Sequence, residues 1–164
     1  MNKTLVIYAS RHGCTEHAVE ILQKQLTGDK KCYNLKDKPK VFFDAYDRII
    51  IGGSIHAGKI QRSVKNFCKR NQQSLLEKQL GLFICCMDKD KALEQFNNAY
   101  PQPLRDHALA VGLFGGAFYF ERMNFVEKAI IKKISGLEAS VNNLNETSIG
   151  EFAQQMESGN QKTV

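Results

Sequence analysis

Apolar positions along this chain fall into two rhythms. Short, nearly unbroken apolar runs occupy residues 3–8, 48–53, 80–86 and 108–114, and each predicts a strand buried on both faces. A more polar stretch, residues 31–35, predicts a further strand. Between the runs, apolar residues recur at three- and four-residue spacing, as one face of a helix requires. Residues 15–26 carry Ala18, Val19, Leu22 and Leu26 on one stripe, and residues 60–71 carry Val64, Phe67 and Cys68. Residues 89–98, 122–134 and 148–157 predict three more helices, the second turning Val126, Ala129, Ile130 and Ile134 inward. Residues 36–40 predict a turn, and Pro101 and Pro103 a loop.

Short strands alternating with helices build βαβ units. The expectation is therefore one α/β domain over residues 1–164, a doubly wound parallel sheet with helices on both faces. Such sheets bind ligands beyond the carboxyl ends of their strands. The candidate chemistry thus lies in the loops that leave the strands at those ends.

After the first strand come Ser10, Arg11, His12, Gly13, Cys14 and Thr15; after the third, Gly53, Ser54, Ile55, His56, Ala57 and Gly58. After the fourth come Cys86, Met87, Asp88 and Lys89, and after the fifth Gly115 and Gly116. In the first of these loops, the N–H groups that open the helix are unpaired and point outward. With the helix dipole they form an anion site, which the hydroxyls of Ser10 and Thr15 can complete. A plain capped turn would use the same residues. Neither the GxxxxGK phosphate loop nor the GxGxxG dinucleotide fingerprint occurs. The other loops offer backbone donors and acceptors and few fixed charges, which suits a neutral, hydrogen-bonding ring attached to the anion. Flavin mononucleotide (FMN) meets that division, with phosphate on the first loop and ring edges on the third and fourth. A receiver-type signalling domain would need an acidic cluster after the first strand and an aspartate closing the third. Ser10, Arg11, Gly53 and Ser54 stand there instead.

Composition is that of an ordinary globular protein, 43% hydrophobic and 24% charged. No signal-peptide pattern opens the chain, and no apolar run reaches the roughly 18–20 residues of a membrane span. A cytoplasmic location is expected. Five cysteines, odd in number and without CxxC spacing, read as free thiols. Among them Cys14 reads as a small packing residue, and adjacent Cys85 and Cys86 send one thiol to each face of a strand. His12 and His56 have no third ligand near in sequence, so no metal site is expected. Asp88 and Asp90 read as solvated loop carboxylates.

Charge narrows the choice of partner. The formal net charge of +6 calls for an anionic one. Lys59, Arg62, Lys65, Lys69 and Arg70 cluster around one helix, and Arg122, Lys128, Lys132 and Lys133 around another. Aromatic residues are not interleaved with them as stacking platforms, so nucleic acid is not expected. Acidic small molecules and an anionic bilayer remain.

Three stretches resemble known proteins. Ser10, Gly13 and Thr15 in their spacing, with IGGSIHAGK at residues 51–59, resemble the flavodoxin-like FMN proteins. Residues 112–136, GLFGGAFYFERMNFVEKAIIKKISG, resemble the menaquinone-dependent protoporphyrinogen oxidases, in which Gly-Gly or Gly-Ala leads into an aromatic, basic stretch ending in KISG. Residues 87–107 depart from that family with an acidic-basic helix. The resemblance implies a five-stranded sheet of order 2-1-3-4-5 and FMN as cofactor. It implies oxidation of protoporphyrinogen IX to protoporphyrin IX in haem biosynthesis, with a quinone as electron acceptor. A peripheral position on the inner face of the cell membrane suits that acceptor. No residue stands out as a general base, so the catalytic residues are left open. The alternative is a non-enzymatic, electron-transfer flavodoxin that docks on a redox protein partner.

Overall fold

The structure is a computed structural model that describes residues 2–136 and 140–159. Its strands begin with β1 (Thr4–Tyr8), β2 (Lys30–Asn34), β3 (Arg48–His56) and the two-residue β4 (Lys59–Ile60). With β5 (Gln79–Cys85) and β6 (Ala110–Leu113), the long strands run parallel in the order β2-β1-β3-β5-β6. Counting only those five, the order is the expected 2-1-3-4-5. The extra strand β4 folds back antiparallel on the end of β3.

The unbroken apolar runs follow from burial on both faces. Leu5, Ile7, Ile49, Ile51, Leu80, Leu82 and Ile84 enter one core, while Val6, Tyr8, Ile50, Phe83 and Cys85 enter the other. Side chains alternate across a strand, so both faces of a doubly covered strand are mostly apolar. Cys85 and Cys86 obey the same alternation, one thiol in each core.

Helices α1 (Cys14–Gln25) and α7 (Glu146–Ser158) cover the second core. There Phe83, Phe114 and Phe152 pack as a triad with ring centroids 4.5, 6.1 and 5.3 Å apart. A Cβ on Gly52 would fall 2.0 Å from the Phe83 ring, so glycine makes the hollow the ring fills. Helices α2 (Arg62–Arg70), α3 (Gln72–Leu76), α4 (Ala92–Ala99) and α5 (Gln102–His107) cover the first core. The Tyr100 hydroxyl donates there to the carbonyls of Phe83 (2.6 Å) and Ile51 (3.2 Å), linking neighbouring strands.

Three expectations change. The loop expected around Pro101 and Pro103 contains α5: Pro101 precedes it and Pro103 sits in its first turn, where a missing N–H removes no helical bond. The segment after β6 continues into β7 (Gly115–Phe118), which pairs antiparallel with β8 (Val141–Leu144), a strand no apolar pattern marked. Finally, α6 (Phe125–Ser135) starts at an Asn124 cap and does not bury the expected stripe. Phe125, Val126 and Ile130 are 88, 64 and 50% exposed, and Ala129 is exposed as well. The side chain of Ile134 lies outside those described. Both faces of the main sheet are already covered, so α6 has no sheet surface to pack on. It stands at the carboxyl end instead. The aromatics that lead into it, Phe118, Tyr119 and Phe120, are half-buried. Among the described residues, no helix is long and apolar enough to cross a membrane.

Candidate functional site

The first loop turns sharply into α1 through Gly13, whose φ of 91° lies where side-chained residues rarely go. Ser10 Oγ accepts from the N–H of Gly13 (3.2 Å) and of Glu16 (3.4 Å). Thr15 is fully buried, and its hydroxyl pairs with that of Ser54 on β3. The two hydroxyls expected to face an anion are therefore engaged within the fold. Ser10 takes two of the N–H groups at the helix start, and those of Cys14 and Thr15, in the first turn, have no partner within the helix. Arg122 reaches this same point. A Cβ on Gly13 would fall 2.2 Å from its Nη1, and its guanidinium lies 3.5 Å from Glu16 Oε2 and over the Tyr119 ring. Tyr119 in turn bonds His17 at 2.7 Å. A small cavity of about 260 Å³ opens here, lined by Gly13, Glu16, His17, Glu20, Tyr119, Glu121 and Arg122.

A second cavity, about 700 Å³, lies beyond the carboxyl ends of β1, β3 and β5. It is of the size that ligand pockets commonly have. The tertiary structure brings there Arg11, His12, Cys14, Ser54, Ile55, His56, Ala57, Gly58, Cys86, Met87, Asp88 and Gly116. Of the other sequence candidates, Ser10 and Thr15 stand behind the wall, Gly13 lines the smaller cavity, and Lys89 is exposed outside it. Gly53 faces the start of α2, where a Cβ would lie 2.5 Å from Gln61 Oε1. That oxygen accepts from the Ser54 N–H at 2.9 Å.

Ala57 and Gly58 form the two-residue turn joining β3 to β4, with φ of 49° and 75°. Two successive positive φ angles are the mark of a type I′ hairpin turn. Gly116 approaches loop 86–89 closely, since a Cβ there would lie 2.8 Å from the Met87 side chain. Cys85 donates to the Cys14 sulfur and so holds Cys14 below the usual thiol range, against the effect of burial. The same bond, and then burial, push Cys85 well up. Cys86 donates to Gln95 Oε1 at 2.6 Å. His56 is lowered by burial among the walls, then by the charges of His12 and Arg11.

Sequence reasoning missed the rest of the wall, Cys85, Gln95 and Ala117 among it. Phe118, Met123, Glu127, Ile130 and Ile131 come from β7, α6 and the segment between them. Glu127 pairs with His12 Nε2 and lies 3.6 Å from Arg11, tying α6 to the first loop. Nothing in the spacing of Glu127 announces this; only a segment detached from the main sheet can reach back.

A helix start with Arg122 against it, beside a largely apolar cavity past the strand ends, fits one class: a doubly wound mononucleotide-binding protein. The chain belongs to the flavodoxin domain family, whose model matches residues 5–143. It is an FMN-binding, flavodoxin-like protein. The fold is shared with the flavodoxin of Fusobacterium nucleatum bound to flavin mononucleotide, at 14% identity and a TM-score of 0.56, over 98% of this chain and 100% of that one. It is shared equally with oxidised flavodoxin 1 of Bacillus cereus, at 17% identity and a TM-score of 0.57, over 95% and 97%. Among curated proteins, the chain is 24% identical over 152 residues to the protoporphyrinogen IX dehydrogenase (quinone) of Leishmania major. That match covers 83% of this chain and 64% of the relative, so the chain spans just under two thirds of its length.

Proposed function

We propose that this chain oxidises protoporphyrinogen IX to protoporphyrin IX and passes the electrons to a quinone. The observation that carries the reading is the wall that β7 and α6 add to the cavity. Phe118, Met123, Ile130 and Ile131 join Ile55 and Met87 around one space of about 700 Å³. A carrier that hands electrons to docked proteins needs an accessible ring edge, not an apolar chamber. The similarity to the Leishmania dehydrogenase points the same way. Bound FMN supplies the electron-transfer chemistry. The first turn of α1, with Arg122 beside it, holds the phosphate, and the backbone of residues 54–58 and 86–88 holds the ring edges. Arg11, exposed at the rim, attracts substrate carboxylates. The protein works in the cytoplasm with α6 resting on an anionic bilayer, its exposed Phe125 and Val126 flanked by Lys128, Lys132 and Lys133. The test is an anaerobic assay of the FMN-loaded protein with protoporphyrinogen and a menaquinone analogue. Porphyrin fluorescence that rises only with quinone present supports the enzyme, and its absence with FMN fully bound leaves an electron carrier.

A further inference from the structure

We infer that Cys14 and Cys85 form a redox-active dithiol in the cavity wall: hydrogen peroxide entering the cofactor-free cavity joins them in a disulfide, and FMN filling that cavity protects them. Of the five cysteines, these two are brought together because α1 starts against the end of β5. Thr15, next to Cys14, pairs with Ser54, and Ser54 stands opposite Cys85, the last residue of β5. The Cys85 thiol lies against the Cys14 sulfur, and both residues line the larger cavity. That contact holds whichever sulfur carries the hydrogen. Cys86 lines the cavity too but is held apart, because its thiol enters the other core and donates to Gln95 Oε1 and to the Asp88 carbonyl. Cys68 is fully buried in that other core, and Cys32 belongs to β2.

The two sulfurs have different surroundings. Cys14 is the first residue of α1, where the helix dipole favours a thiolate. The contact with Cys85 and the Ala117 N–H favour negative charge on it as well, against the effect of burial. Cys85 is 2% exposed, and the same contact, then burial, keep its proton in place. Cys14 is therefore the attacking thiol and Cys85 the resolving one.

Two electrons leave the sulfurs and reduce one peroxide to two waters. The Cys14 thiolate attacks a peroxide oxygen, the O–O bond breaks, and the departing hydroxide takes up a proton as the first water, leaving a sulfenic acid. Cys85 then attacks the Cys14 sulfur. Its thiol proton leaves with the sulfenic hydroxyl as the second water, and the S–S bond forms. The protection by FMN rests on the proposed position of the ring against residues 54–58 and 86–88; the disulfide does not.

The test treats FMN-free protein with hydrogen peroxide under nitrogen, blocks the remaining thiols with N-ethylmaleimide and maps non-reduced peptides by mass spectrometry. The expected result is a Cys14–Cys85 cross-linked peptide that dithiothreitol reverses. In Cys85→Ser, Cys14 should instead accumulate as a sulfenic acid that dimedone traps. A parent that keeps both thiols, links other cysteines, or carries Cys14 to the sulfinic acid with Cys85 still reduced overturns the inference. FMN-loaded protein should form the cross-link roughly 10-fold or more slowly, as expected for thiols cut off from the oxidant. An equal rate with FMN fully bound overturns the protection and moves the ring away from this wall, while the cross-link in the FMN-free protein stands by itself.

Discussion

Arg122 lies so close over Gly13 that any side chain on the glycine would have to displace its guanidinium, 2.2 Å from the Cβ position. The two residues are far apart in sequence, one opening α1 and the other preceding α6. Their contact brings a guanidinium, itself 3.5 Å from Glu16, to a helix start whose dipole favours anions. Removing the charge by Arg122→Ala should weaken FMN about 10-fold, the scale of one charge-assisted hydrogen bond, and flatten the salt dependence of binding. Gly13→Ala should weaken it further, through both the displaced guanidinium and the positive φ. Titration by quenching of FMN fluorescence measures both, and unchanged affinity in both variants would remove the phosphate from this loop.

Ala57 holds a left-handed backbone angle without being glycine. Alanine is disfavoured there by roughly 1 kcal/mol, a strain that an adjoining cavity can retain for function. Ala57→Gly should raise the melting temperature slightly, since relief of the left-handed angle outweighs the freedom that glycine adds to the unfolded chain at this exposed turn. A lowered melting temperature would show that the Ala57 methyl group is needed where it stands.

Arg48, almost fully buried on β3, is held by Glu157 of α7 at 3.1 Å, by Gln79 and by the Glu157 carbonyl. Burial raises the Glu157 pKa, but donation from the Thr27 N–H and hydroxyl, together with the Arg48 charge, outweighs it and leaves the carboxyl below its ordinary value of 4.5. A group lowered by folding stabilises the protein above its unfolded value, and that contribution disappears as pH falls through the folded one. Stability should therefore decline below about pH 4.5. Glu157→Gln should destabilise the protein by about 2–3 kcal/mol at pH 7 and reduce that acid dependence. Urea denaturation at pH 7 and pH 4 measures both, and an unaltered acid slope would mean that Glu157 does not set it.

Lys128, Lys132 and Lys133 are exposed on α6 beside Phe125 and Val126. Near an anionic surface each contributes about 1 kcal/mol, so reversing all three to Glu should weaken vesicle association by roughly 3 kcal/mol or more. The loss should shrink as salt is raised, and FMN content should hold, because none of the three lines either cavity. Equal sedimentation of variant and parent with phosphatidylserine vesicles at low salt would leave these lysines as an ordinary solvated face.

The sequence by itself determined the sheet and the location of the cavity. Ile49, Ile50 and Ile51 in a row, or Leu82, Phe83 and Ile84, are compatible only with strands buried on both faces, and alternation then dictates which side chain enters which core. Local spacing likewise set the stripe of α1 and pointed to the loops after β1, β3 and β5. Tertiary structure decided what local pattern cannot carry. The apolar stripe of α6 has the same 3.6-residue rhythm as a core helix, yet Val126 and Ile130 are exposed because the other helices already cover the sheet. β8 carries only two apolar residues, Val141 and Leu144, and becomes a strand because β7 offers it an edge. Gly53 packs against Gln61 and Thr15 pairs with Ser54, partners that no local spacing names. The Glu127–His12 pair joins residues brought together only when β7 and β8 carry α6 back over the first loop. Burial periodicity is a property of neighbours along the chain, whereas the choice of partner across the cavity depends on which surfaces the rest of the fold leaves open.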